Sequence, residues 1–183
     1  CRLGGGAVAA PQGNDGMKFG SDWVVAGVAT LVAGAAVAQP SPIVGSDAGA
    51  CAADARDTAA LIDVGGLKDR SGVMRIELYP DNNNEFLGDR HKLVAEGKTF
   101  RRVETPLPES GPVRVCIKLP GPGRYAIAVI HQRGATRSFT FSKDGIGFPN
   151  NPKLFLSKPD VSKVAMTFAS GVTTVPVILN YKS

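Results

Sequence analysis

The sequence predicts an all-β fold, an antiparallel β-sandwich of about seven strands. Three observations carry this. Apolar and polar residues alternate with period two in several segments, the arrangement that gives a pleated strand one buried and one exposed face. Clusters of Gly, Pro, Asn and Asp separate those segments. Downstream of residue 38, no stretch keeps helical periodicity over ten or more residues, a turn near Asp54 to Ala60 excepted.

The segment beginning at Thr58 places Ala60, Ile62 and Val64 on one face and stops at Gly65-Gly66. In "GVMRIELYP", Met74, Ile76 and Leu78 oppose Arg75 and Glu77, and Pro80 ends the run. "KTFRRVETPL" from Lys98 is a weaker strand, because the pattern is mixed around Arg101 and Arg102. "PVRVCIKLP" and "GRYAIAVIHQ" follow, joined by the turn Gly121-Pro122-Gly123. The second is apolar on both faces, Tyr125, Ile127 and Val129 on one and Ala126, Ala128 and Ile130 on the other, which marks a central strand. "VSKVAMTFA" and "TTVPVILNY" read as a hairpin about Ser170-Gly171, with Val164, Met166 and Phe168 facing Val175, Val177 and Leu179. Pro176 cannot donate to a ladder, so the last strand is expected at an edge or at a bulge.

The N-terminal region reads as targeting sequence. Met17 opens a short polar stretch, the apolar run Trp23 to Ala38 follows, and Ala36-Val37-Ala38 supplies an A-x-A cleavage site. The run is short and rich in alanine and glycine for a membrane span, so no span is expected after cleavage. The expected organisation is an upstream segment at 1–16, a signal peptide at 17–38, an N-terminal extension at 39–57 and the sandwich at 58–183. Export implies an oxidising compartment, where Cys51 and Cys116 are expected to pair. Strand parity agrees, since Cys116 lies between Arg114 and Lys118 on the face opposite Val115 and Ile117. The only tryptophan, Trp23, departs with the signal, so the Cys, Trp, Cys pattern of antibody-type domains is absent.

The net charge is +5. Its basic residues are dispersed, and export also argues against nucleic acid as a partner. Basicity of this size fits solubility, and also attraction to anionic envelope polymers or head groups.

The blocks "GLKDRSGVMRIELYP", "LPGPGRYAIAVIHQ", "DGIGFPNNP" and "VTTVPVILNY", in that order, resemble the uncharacterised bacterial exported family known as domain of unknown function 2141. The resemblance runs from about Thr58 to Tyr181. It implies an exported sandwich of transthyretin-like or immunoglobulin-like kind with no assigned activity. Many relatives carry an acidic, asparagine-rich loop after the strand matching "YAIAVIH". This chain instead has Gln132, Arg133, Gly134, Ala135, Thr136 and Arg137, which lack the carboxylates a hard cation needs.

The stretch Arg124 to Asn151 holds the candidate site: His131, Asp144, Phe148, Asn150 and Asn151. His131 beside Asp144 is the nearest approach to an acid–base pair, with no "GxSxG" element to supply a nucleophile. His131, Asp144 and the two asparagines could also bind a sugar hydroxyl. The structural reading makes His131 and the asparagines ties for a long loop and Phe148 a plug. "PDNNNEFLGDRH" lacks the spacing of a calcium loop, and His91 and His131 have no ligand neighbours at zinc spacing. No metal or other cofactor is expected. The functional expectation is therefore an exported, non-enzymatic module that binds an envelope component or a protein partner through end loops. The alternative is a periplasmic glycan enzyme using His131 and Asp144.

Overall fold

A computed structural model describes residues 42–134, 138–155 and 157–182. These belong to one compact unit, Gln39–Ser183. The expected upstream segment and signal peptide lie outside the described residues, as do Ala135, Thr136 and Arg137.

The strands form two sheets. Sheet A has the order β1 (Ile43–Val44), β5 (Val113–Lys118), β2 (Ala59–Gly65), β9 (Val172–Ile178). In sheet B, β4 (Arg101–Pro106), β3 (Val73–Pro80), β6 (Gly123–Gln132) and β7 (Gly145–Gly147) are neighbours, and β8 (Ala165–Phe168) also pairs with β6. The sandwich expected from the sequence is present. Its core lies between the sheets and is built from the predicted alternating sets: Ile62 and Val64 of β2, Ile76 and Leu78 of β3, Val115 and Ile117 of β5. On β6, Ile127 and Val129 face this core while Ala126 and Ala128 face a second cluster, so the strand is central and covered on both sides.

The expected hairpin about Ser170-Gly171 is not formed. β8 pairs antiparallel with the first half of β6, Gly123 opposite Phe168, and the chain then crosses to sheet A, where β9 runs parallel to β2. Phe168, Val175, Val177 and Leu179 still meet in the core, but Val164 lies in the second cluster. Apolar parity fixes which side chains point inward and leaves open which neighbour a strand pairs with. Pro176 sits on β9 at the sheet's edge, where its missing N–H is tolerated.

The N-terminal extension docks on sheet A. β1 adds a parallel strand to β5, and the 3-10 turn Ala48–Cys51 brings Cys51 to Cys116, with 5.9 Å between their Cα atoms in the disulfide. Asp47 fastens the same segment. Its carboxylate accepts from Arg101 at 2.6 Å and from the Lys118 backbone N–H at 2.8 Å. Burial raises its pKa, but the Arg101 and Lys118 hydrogen bonds outweigh this and hold it below the ordinary value.

Two short helices lie over the outer face of sheet B. Helix α1 (Arg90–Ala95) starts where the Asp89 side chain accepts from Lys92 N, and α2 (Val161–Val164) where Asp160 accepts from Ser162 N. Such aspartate caps satisfy orphan N–H groups of a first turn. With Tyr79, Phe86, Phe148 and Val161 these segments form a second apolar cluster and a third layer. Among the described residues, no helix is long and apolar enough to cross a membrane.

Candidate functional site

Each of the five sequence-derived site residues is engaged in holding the loop after β6. His131 is fully buried. Its Nε2 lies 2.7 Å from the Ser71 carbonyl oxygen, an acceptor, so Nε2 carries the proton. Nδ1 then accepts from the Tyr181 hydroxyl at 2.7 Å. That hydroxyl also accepts from Lys68 N at 3.3 Å. Burial displaces the Tyr181 pKa upward, which keeps it a donor.

Asp144, 2% exposed, closes the loop with both carboxylate oxygens: Oδ1 accepts from Arg133 N at 2.8 Å and Oδ2 from Thr140 N at 2.7 Å. His131 and Asp144 therefore make no hydrogen bond to each other. Beside them, Asp69 pairs with Arg133 and accepts from Ser71, and these hydrogen bonds hold its carboxyl well below the usual range.

The block "DGIGFPNN" then runs along β7. A Cβ at Gly145 would stand 2.4 Å from the Tyr181 ring, and one at Gly147 would stand 2.6 Å from the Ile178 carbonyl. Only glycine allows these approaches. Phe148 is 2% exposed and meets Phe86 edge-on at 5.7 Å. Asn150 donates to the Lys163 carbonyl at 3.1 Å. Asn151 accepts from Ile178 N at 2.7 Å and donates to the Pro176 carbonyl at 3.4 Å, so one carboxamide caps the outer edge of β9.

A different surface is open to solvent. The third layer leaves a trough over sheet B of about 720 Å³, within the usual range of ligand sites. Its floor holds the outward residues of β3 and β4. Arg75 pairs with Glu104 at 2.5 Å and with Gln132, and Arg102 pairs with Glu77 at 2.5 Å. Tyr79 donates to Glu77 at 2.6 Å, and burial, then the Glu77 charge, drives its hydroxyl pKa far upward. Arg75 and Glu77 are each 4% exposed. Buried charges of this kind persist only when paired, as these are.

The walls are apolar. Phe139, Phe141 and Phe155 are 37%, 45% and 78% exposed and border the trough together, with Phe139 and Phe141 edge to face at 6.5 Å. Large apolar groups gathered in one exposed place mark binding surfaces. Of the five predicted residues, only Phe148 lines this trough. The sequence reading missed the others for a physical reason. Phe139 and Phe141 alternate with Ser138, Thr140 and Ser142 over five residues only, which reads as a short strand face and not as an exposed pair, and Phe155 follows a proline-containing loop. Capping aspartates at 89 and 160 were the legible signal that helical turns interrupt the chain and cover one sheet.

Among the described residues, no group of three or more His, Cys, Asp or Glu is placed to hold a metal ion. Fold and site together define a two-sheet sandwich whose third layer frames a solvent-open trough. The chain belongs to the family described as an uncharacterized protein conserved in bacteria, DUF2141, whose model matches residues 62–176. No curated protein and no solved structure matches the chain.

Proposed function

We propose that this protein is exported to the periplasm or beyond and acts as a non-enzymatic binding module, holding an envelope component or a protein partner in the sheet B trough. Export is supported by the apolar run ending in Ala36-Val37-Ala38 and by the Cys51–Cys116 disulfide, a bond that persists in oxidising compartments. Binding rests on one observation above all: three exposed phenylalanines converge over a floor of paired charges. A rigid sheet that displays its contacts through overlying loops is a common way to build a recognition surface. The non-enzymatic reading is supported by His131 and Asp144 being bound to backbone groups and to Tyr181, with neither lining the trough.

The test is a photoreactive amino acid placed at position 155 in cells that make the protein, with position 172 on sheet A as control and mass spectrometry of the adducts. Adducts at 155 in clear excess over 172 are expected. Equal yields at the two positions would remove the trough as the binding surface.

A further inference from the structure

The trough is not uniform along its length. Its middle section continues at one end into a space of about 520 Å³ that shares Arg75, Asp89, Arg102 and Ser138 with it and adds Arg90, His91 and Glu104. Among the described residues, no phenylalanine, tyrosine or aliphatic side chain lines that end. At the other end it continues into a space of about 620 Å³ bordered by Phe141, Ile146, Leu154, Phe155 and Tyr181, where no charged side chain is present. The groove thus runs from a charged end to an apolar end.

At the charged end the guanidinium groups of Arg75, Arg90 and Arg102 stand with the carboxylates of Asp89 and Glu104, and Glu77 of the adjoining floor pairs with Arg102. Arg75 and Glu104 satisfy each other. Asp89 is engaged as the cap of α1. Arg90 is exposed and makes no ion pair among the described residues; its Nε donates to His91 Nε2 at 3.2 Å. Arg102 uses one terminal nitrogen on Glu77 and stacks on Phe100 at 5.7 Å, while its buried Nε has no partner.

From this polarity we infer that the groove takes a single-chain anionic amphiphile, a long-chain carboxylate, with its head group toward Arg90 and Arg102 and its acyl chain along Phe141, Leu154 and Phe155. This deepens, and rests on, the assignment of the trough as the binding surface. A monoanion answers Arg90, the exposed guanidinium that makes no ion pair among the described residues. A flexible chain spans from the arginine end to the apolar end that Phe141 and Phe155 border, where a compact ligand would reach one end only. Separating the charged from the apolar lining also discriminates: a neutral chain leaves the arginine end unanswered, and a hydrophilic anion leaves the phenylalanines in water.

Isothermal titration of the purified protein tests it, using sodium dodecanoate below its micelle concentration, a neutral ethylene glycol dodecyl ether of equal chain length, and sodium acetate. Dodecanoate is expected to bind about tenfold more tightly than the neutral ether, a difference equivalent to one well-placed charge contact, and acetate is expected not to bind. Arg90→Gln is expected to weaken dodecanoate about threefold while leaving the neutral ether unchanged, as for an exposed ionic contact. Phe155→Ser is expected to weaken both. Neither position is buried, so folding is preserved in both variants. Equal affinity for anionic and neutral chains, or an Arg90→Gln variant with unaltered dodecanoate binding, overturns the inference. Silence toward dodecanoate while adducts at position 155 persist in cells overturns the amphiphile and leaves the trough standing. If titration is silent and the protein sediments as a dimer that Phe155→Ser dissociates, the occupant is a second copy of the chain, and the inference fails.

Discussion

Asn151 sits at φ 44° with its carboxamide laid against the outermost strand of sheet A, accepting from Ile178 N and donating to the Pro176 carbonyl. A side-chain amide here does what the next strand would otherwise do, and it blunts an edge that could pair with another chain. Asn tolerates the left-handed region better than other residues with a Cβ, so conformation and hydrogen bonding select the same residue. Asn151→Ala is expected to lower stability by about 1–2 kcal/mol, read as a fall in melting temperature, because it strands one strand-edge donor and raises local strain. An unchanged melting temperature would show that the edge does not need the tie. His131, Asp144 and Phe148 belong to the same set. The sequence marked these residues as unusual because they are polar, aromatic or glycine-flanked in a long loop, and their chemistry is used on the protein itself. Phe139, Phe141 and Phe155 were not legible, since an exposed aromatic in a loop looks no different in sequence from a buried one.

At the scale of elements, the strands were legible because burial imposes a period of two. Sets such as Met74, Ile76 and Leu78 fall on the predicted face. Partner choice was not, because β8 and β9 satisfy the same inward pattern whether they form a hairpin or divide between sheets. Three-residue β7 and the capped helices α1 and α2 escaped for another reason: elements of three to six residues are too short to display a period. The disulfide ties the 3-10 turn of the N-terminal extension to β5, and the sheet alone holds that extension weakly, since β1 contributes only two residues to the edge of β5. Replacing Cys51 and Cys116 together with serine is expected to cost about 2–5 kcal/mol in chemical denaturation, with the sandwich retained. A loss much smaller than this would mean that β1 and the Asp47 bonds to Arg101 and Lys118 already fasten the extension.

For the molecule as a whole, the division of labour follows the layers. Facing interiors of the two sheets make an apolar core that needs no polar partner. The outer face of sheet B carries Arg75, Glu77, Arg102 and Glu104, and its buried members Arg75 and Glu77 are both paired, as buried charges must be. The third layer covers part of this floor and presents the phenylalanines. On the proposed reading, His131, Asp144, Phe148, Asn150 and Asn151 serve the fold and the trough beside them serves recognition. The separation is tested with a photoreactive residue at position 141, reading melting temperature and adduct yield for Phe155→Ser and Asn151→Ala well below either transition. Phe155→Ser is expected to lose adducts with its melting temperature unchanged, and Asn151→Ala to melt earlier with adducts retained. The reverse pattern, adducts lost with Asn151 and stability lost with Phe155, would contradict the assignment of the trough as the binding surface.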